Sequence, residues 1–379
     1  MREASRCLHC ANCGVCKECV RACEANAINH DQLPEIIHDK VGAIVVATGY
    51  KTFDPSVIPT YHYKELGYEG VITGLEFERL TNSAGPTEGS IIIPNTDKKP
   101  KSIAFINCVG SRDKHYHEYC SRYCCTASIK HAYLMKDKYG SDMDTLLFYK
   151  DIRTFGKGYE ELYNRSRSKG VEYIKGVPSE IRKDVDGSLY FDIYNVDLGK
   201  NIRYRPDLIV LQTAMVPNDD AKKVGELLSC SMDKDGFFIE KHIKLGPVET
   251  ASAGKFIAGA CRGPIDITDS VSQGYAAAIL AAKLIMSKSI EKEAIISEVQ
   301  KDVCSGCGSC VSTCVYQALS LYVDEEGHTK SQVNSILCEG CGACAATCPS
   351  NAIIMNHFTN DQIEAMIQTA FKETESPAP

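Results

Sequence analysis

An α/β core set between cysteine-rich ends is the architecture this sequence predicts, and three observations predict it. Apolar, β-rich runs alternate with helix-patterned stretches through the middle of the chain. Two matched cysteine runs close the C-terminal part, and a third of the same spacing opens the N-terminal part. Strands that alternate with helices imply a mostly parallel sheet.

The core elements follow in order. Strand-like runs occupy 42–48, 102–107, 145–149 and 208–213, each rich in Val, Ile, Leu or Phe. Helical patterns cover 121–139, 159–169 and 268–287, the last crowded with Ala and Leu. Asp266 or Thr268 is placed to cap that final helix through a side-chain oxygen. Residues 359–379 read as a short helix and a Ser-Pro-Ala-Pro tail. The expected division is 1–32 (iron–sulfur), 33–292 (α/β core), 293–358 (paired clusters) and 359–379 (helix and tail).

Composition narrows the function. The 379 residues are 44% hydrophobic and 24% charged, as in an ordinary globular protein. A net charge of −7 gives no basic footprint, so nucleic acid is not an expected partner. No apolar run approaches the ~18 residues of a membrane span. The start, Met-Arg-Glu-Ala-Ser-Arg-Cys, has no apolar signal core, so the expected location is the cytoplasm.

In a reducing compartment the 20 cysteines point to metal rather than to a disulfide framework. Cys304, Cys307, Cys310 and Cys314 read C-x2-C-x2-C-x3-C, and Cys338, Cys341, Cys344 and Cys348 repeat it, with Pro349 behind. In such two-cluster ferredoxin patterns the fourth cysteine of each run ligates the other run's cluster. One 4Fe–4S cluster is therefore assigned to Cys304, Cys307, Cys310 and Cys348, and the other to Cys338, Cys341, Cys344 and Cys314. Gly306, Gly308, Gly340 and Gly342 let the backbone turn tightly and aim N–H groups at the cluster sulfurs. Zinc or free thiols are the weaker alternatives.

Cys13, Cys16, Cys19 and Cys23 fit the same spacing and are assigned a third cluster. Zinc remains open there, because C-x2-C pairs suit tetrahedral zinc as well. Cys7 and Cys10 are surplus: ligands of a further cluster completed elsewhere, or bystanders. Cys108, Cys120, Cys124 and Cys125 lie within 18 residues, at a spacing no ferredoxin uses. They read as a cluster, as buried structural thiols, or as a vicinal disulfide at Cys124–Cys125. Cys230 and Cys261 stand alone.

The segments INCVGSRD, YCSRYCC, FYKDIRTFGKGYEELYNRSRSKGVEYIKG and GPIDITDSVSQGYAAA resemble the A-type subunits of heterodisulfide reductase and their bacterial relatives, and the resemblance runs through essentially the whole chain. It implies a thioredoxin-reductase-like, Rossmann-type flavoprotein portion carrying ferredoxin-like domains at the C-terminus and at the N-terminus. It implies FAD, with electron pairs divided between a disulfide branch and ferredoxin. It implies that Cys108, Cys120, Cys124 and Cys125 hold a fourth 4Fe–4S cluster, and that Lys130 lies close to the flavin. The segment 43–50 resembles a strand and Ala-Thr-Gly turn of that fold, and 256–260 with 266–278 the strand and helix that meet the flavin. On that likeness the flavin contacts are Thr48, Gly49, Gly259, Asp266, Ile267 and Gln273. An ordinary core helix and a solvated lysine are the plain readings of the last helix and of Lys130.

One departure is large. The family carries a G-x-G-x-x-G loop that holds the pyrophosphate at a helix N-terminus, and this sequence has none. Gly156-Lys157-Gly158 lacks the third glycine and reads as a loop. The expectation is a split subunit whose FAD site is shared with a polypeptide that carries the missing half. The remaining expected partners are other heterodisulfide-reductase-like subunits, ferredoxin, and the electron-input component of a hydrogenase or formate dehydrogenase. The competing readings are a flavin-free multi-cluster conduit and the equivalent component of another anaerobic reductase.

Overall fold

The computed structural model describes residues 16–287 and 294–371. The chain separates into two units, Met1–Val41 and Gly42–Pro379. In the first, the one helix among the described residues is α1 (Glu18–Arg21), set between Cys16 and Cys23. It buries no side chain. Cys19 Sγ lies 3.3 Å from His30 Nε2, and the Ala27 N–H reaches Cys23 Sγ at 3.4 Å. Cys7, Cys10 and Cys13 lie outside the described residues.

The second unit begins with β1 (Ile44–Val46) and β2 (Lys51–Thr52). Next, β3 (Val71–Thr73) runs into α2 (Gly74–Thr81), where Thr73 and Glu76 form a reciprocal capping box. Then β4 (Ser102–Val109), α3 (Cys124–Tyr139), β5 (Asp144–Tyr149), α4 (Tyr159–Ser168) and β6 (Glu172–Lys175) alternate. A meander of β7 (Arg182–Lys183), β8 (Leu189–Asn195) and β9 (Lys200–Tyr204) precedes β10 (Leu208–Thr213). Beyond it come β11 (Met215–Val216), α5 (Ala221–Leu228), β12 (Lys255–Ile257) and α6 (Ile267–Met286).

Five of these strands form one sheet in the order β3-β10-β4-β5-β6, every pair parallel. Because side chains alternate across a strand, β4 sends Ile103 and Phe105 to one face and Ala104 and Ile106 to the other. The first pair meets Phe77 of α2 and Ile129, Ala132 and Met135 of α3. The second meets Phe191 and Ile193 of the meander. Both faces are therefore covered, which is why β4 and β10 read as continuous apolar runs instead of alternating ones. A separate pair, β1 and β12, is parallel and only two strands wide.

Several elements differ from their sequence expectation for identifiable reasons. The helix expected from 121 starts at Cys124, because Arg122 is left-handed (φ 61°) and cannot enter a right-handed helix. Of the two candidate caps for α6, Asp266 takes the role and accepts from the Asp269 N–H at 2.8 Å. The run 42–48 shortens to the three residues that find a partner in β12. The meander has no counterpart among the expected strands, although Leu189, Phe191 and Ile193 point inward at a period of two.

Residues 294–371 form a small α+β array. In order it contains β13 (Ser297–Val299), α7 (Ser309–Thr313), β14 (Leu319–Val323), β15 (Thr329–Val333), α8 (Ala343–Thr347), β16 (Ile353–Met355) and α9 (Asn360–Ala370). The outer strands β13 and β16 pair antiparallel, as do β14 and β15. Its small core joins Cys310, Leu319, Cys344 and Ile353.

Candidate functional site

The C-terminal array has two hollows of roughly 300 Å³ each, partly open to solvent. Cys304, Cys307, Cys310 and Cys348 line the first. Cys338, Cys341, Cys344 and Cys314 line the second. Each hollow thus takes three thiols from one run and the fourth from the other. The halves repeat at the fourth cysteine. Main-chain N–H groups of Ala318 and Ala352 each stand 3.3 Å from a fourth cysteine, Cys314 and Cys348 respectively. Ser331 Oγ lies 3.3 Å from Cys310 Sγ, and Ser297 Oγ 3.4 Å from Cys338 Sγ.

Gly306 and Gly340 show why the spacing carries glycine. Both are left-handed (φ 68° and 66°), and a Cβ would sit 2.1 Å from the Thr329 carbonyl oxygen or 2.2 Å from that of Ile295. Hydrogen bonds from Ser309 lower the Cys307 pKa, which favours the thiolate that binds metal. Burial raises Cys344. Among the described residues no three Cys, His, Asp or Glu side chains converge on a point that would hold a single ion. Four thiolates on one zinc would crowd to within ~4 Å of one another. The thiols instead stand around a hollow, an arrangement that fits a cluster whose irons each take one cysteine.

The mid-chain cysteines meet at the carboxyl edge of the parallel sheet, where open α/β sheets place their ligands. Cys108 is the penultimate residue of β4, and Cys124 and Cys125 open α3. Cys120 is close enough to Cys108, Cys124 and Cys125 to act electrostatically on all three. All four are free thiols, so the vicinal disulfide does not form. Burial pushes Cys108 and Cys124 upward and Cys125 up to about 11. Raised values are those of neutral buried thiols, and a metal group that takes them as thiolates would have to offset that cost with its own positive charge. N–H donors are already in place. The Arg122 N–H is 3.4 Å from Cys120 Sγ, and the Arg153 N–H is 3.5 Å from Cys125 Sγ. Asn107 Nδ2 approaches Cys125 Sγ at 3.8 Å. Cys108, Arg112 and Arg122 all adopt left-handed backbone without being glycine, a strain that collects at functional sites.

The residues expected to meet a flavin gather around the β1–β12 pair and the start of α6. The Gly259 N–H donates to Gln273 Oε1 at 2.9 Å, and the Thr48 carbonyl accepts from Asn218 Nδ2 at 2.6 Å. Gly49 is left-handed (φ 74°) and has open space where a side chain would stand. Ile267 is 83% exposed. Gly49 and Ile267 thus leave this edge open, and the sequence offers it no G-x-G-x-x-G loop. Lys130 is further along α3, its ammonium 2.6 Å from Glu78 Oε2. The same carboxylate takes the Nε2 of buried His131, whose ring packs against Phe77 and Phe105.

Residues 303–352 match the family model described as a 4Fe-4S dicluster domain. The chain is 47% identical to the second iron–sulfur A-type subunit of CoB--CoM heterodisulfide reductase from Methanopyrus kandleri, over 92% of its own length and 53% of that protein. It is similar to about half of a heterodisulfide reductase A-type subunit. With the A-type subunit of the H(2):CoB-CoM heterodisulfide,ferredoxin reductase of Methanothermobacter thermautotrophicus it shares 44% identity, over 96% of this chain and 54% of that one. The chain thus spans about half the length of the A-type subunits it matches. Thioredoxin reductase of T. acidophilum aligns over 65% of this chain and 66% of its own at 12% identity and a TM-score of 0.42, an overlap too loose to argue from. No helix among the described residues is long and apolar enough to cross a membrane.

Several residues around the mid-chain thiols escape a reading by cysteine spacing. Arg112, Arg122, Asp151 and Asp269 form ion pairs beside the mid-chain thiols. Their signal is present in the sequence: two arginines within the cysteine segments INCVGSRD and YCSRYCC. Asn107, Gln212 and Thr213 are buried polar residues at the ends of otherwise apolar strands, a second legible sign of a site.

Proposed function

We propose that the chain is an electron-transfer part of a heterodisulfide-reductase-type oxidoreductase, carrying two C-terminal 4Fe–4S clusters, one mid-chain and one N-terminal cluster, and part of an FAD site. The observation that supports it most is the sorting of eight cysteines into two hollows, each completed by the other run's fourth residue. Bound clusters and flavin would supply the electron chemistry, and the protein's part is to hold and tune them. Cys304, Cys307, Cys310 and Cys348 would ligate one cluster and Cys338, Cys341, Cys344 and Cys314 the next. Cys108, Cys120, Cys124 and Cys125 would ligate a third, and Cys16, Cys19 and Cys23 a fourth together with Cys13.

The face around Thr48, Gly49, Gly259, Asp266, Ile267 and Gln273 would receive the isoalloxazine and ribityl part of FAD, with Lys130 on the neighbouring helix. The pyrophosphate would be held by a glycine-rich loop outside these 379 residues, on the same polypeptide or another. A parallel pair only two strands wide supports this reading, since such sheets are ordinarily wider and covered on both faces. The partners this role requires are ferredoxin, further reductase subunits, and the electron-input component of a hydrogenase or formate dehydrogenase.

Anaerobic reconstitution with iron and sulfide tests the assignment. Four clusters predict about 16 irons per chain. A plateau near about eight would remove the mid-chain and N-terminal clusters. Cys348→Ser should perturb the cluster whose other ligands are Cys304, Cys307 and Cys310. A defect confined to the Cys338 group would overturn the crossed assignment. FAD should bind the isolated chain weakly, and adding the loop-bearing segment should restore a flavin spectrum.

A further inference from the structure

The mid-chain thiols and the C-terminal thiols are surrounded differently. Among the described residues, main-chain N–H groups and neutral serine hydroxyls hydrogen-bond to the sulfurs of Cys310, Cys314 and Cys348, while Lys330 Nζ donates to the Cys304 carbonyl at 2.9 Å. Around the mid-chain thiols stands a cage of cations. Arg112 Nη1 is 4.0 Å from Cys108 Sγ. Its guanidinium forms a two-point pair with Asp151, one arm of which is 3.1 Å. Lys150 Nζ donates to the Arg112 carbonyl at 2.8 Å and acts electrostatically on Cys108. Arg153 reaches the same Asp151 carboxylate at 3.2 and 3.5 Å, while its main-chain N–H points at Cys125 Sγ. With Arg122 and its partner Asp269, four cations and two carboxylates stand beside the thiols, a surplus of two positive charges.

The charge arithmetic has a consequence for any electron that arrives there. Burial makes added negative charge costly beside Cys124 and Cys125, which are 5% and 6% exposed. An electron added to a group held by four thiolates puts more negative charge in the same place. Net charge and hydrogen bonding at sulfur are among the factors that set such potentials. A fixed cation near the sulfur offsets that cost, and screening by water is weak because the Arg112 side chain is only 18% exposed. Arg112 also holds a left-handed backbone (φ 55°) that a non-glycine residue adopts at a cost. That conformation and the Asp151 clamp together fix the guanidinium over Cys108.

We propose that Arg112, clamped by Asp151, is the positioning residue that sets the reduction potential of the mid-chain cluster, holding it above the value four buried thiolates would impose. The inference rests on the mid-chain cluster assigned above. The redox step is a single electron: dithionite loses it, the cluster gains it, and Arg112 keeps its proton and forms no new bond. Outer residues that orient and polarise metal ligands act in this way.

The test is a potentiometric reduction of the full chain, reconstituted anaerobically and followed by low-temperature EPR, with the C-terminal pair as internal reference. Arg112→Gln should make reduction of the mid-chain cluster about tenfold less favourable, a drop of about 59 mV for one electron, and leave the C-terminal signals in place. Arg112→Lys keeps the charge and should move it by less than about threefold, or about 28 mV. Lys150→Gln should lower it in the same direction by a smaller amount, and it carries the test if Arg112→Gln fails to take up the cluster. An unmoved mid-chain potential in Arg112→Gln, or in Lys150→Gln when that variant carries the test, overturns the inference. So does an Arg112→Lys shift as large as that of Arg112→Gln, since that would mean packing rather than charge. A wild-type chain showing the C-terminal signals and no mid-chain signal defeats the cluster assignment instead.

Discussion

Arg122 Nη2 stands 2.9 Å from Asp269 Oδ2, so the loop that carries Cys120 is tied to the first turn of α6. The guanidinium also lies over the Phe155 ring, 5.0 Å from its centroid. One arginine thus links the mid-chain thiols to the helix that would meet the flavin.

As a stabilising contact this pair is modest. Its partners are 33% and 48% exposed, and solvent screens them. Asp269→Asn should reduce the unfolding free energy by no more than about 1 kcal/mol. Urea denaturation measures this, and a loss above about 2 kcal/mol would mean that the pair anchors the loop. On the proposed function its effect is instead on electron arrival at a cluster held by the mid-chain thiols, which stopped-flow reduction of the reconstituted chain, with FAD and the loop-bearing segment added, would show as slower.

Cys124 and Cys125 are both buried and both free, at the first turn of α3. As cluster ligands, replacing either by Ser should delete one EPR signal and about four irons. The C-terminal pair should remain, because its eight cysteines belong to a separate small array. As mere core thiols, the same changes would leave the iron count alone and cost about 1–3 kcal/mol for a buried hydroxyl. Iron analysis of the two single variants separates these outcomes.

Gly306→Ala and Gly340→Ala should each unload one C-terminal cluster and lower stability by about 1–3 kcal/mol. The added methyl meets a carbonyl oxygen at 2.1 or 2.2 Å on a left-handed backbone, and neither main chain can retreat cheaply. Gly327→Ala is the control. It is also left-handed (φ 84°) but has open space at its Cβ, so it should show the smaller backbone penalty with both clusters retained. Thermal unfolding with parallel iron analysis checks all three.

Burial holds the His131 pKa below its ordinary 6.5, although Glu78 pulls in the opposite direction. The unfolded chain therefore binds a proton that folded His131 does not. Its contribution is complete above about pH 6.5 and is lost as pH falls toward the folded value, by at most about 1.4 kcal/mol per unit. His131→Gln should flatten the stability of the protein between about pH 6.5 and pH 5. Guanidinium midpoints across that range decide it. An unchanged slope would assign the acid sensitivity to carboxylates such as Glu78, whose pKa Lys130 and His131 hold down against its burial.

What the sequence determined by itself is local. The run from Cys304 to Cys314 and its repeat encode a loop, a left-handed glycine and a short helix within eleven residues each. Their spacing predicts crossed ligand sets, and each hollow is lined by three cysteines of one run and one of the other. The parallel core was legible for a related reason: strands covered on both faces must be apolar throughout, and 102–107 and 208–213 largely are. Tertiary structure alone decided what surrounds the mid-chain cysteines. Cys108 and Cys120 come together because β4 ends at the carboxyl edge of the sheet where α3 begins. Arg112 is paired with Asp151, 39 positions away, and Arg122 with Asp269, 147 positions away. Periodicity and spacing describe neighbours along the chain. Which cation faces which thiol depends on the order β3-β10-β4-β5-β6, and that order follows from burying two apolar faces at once.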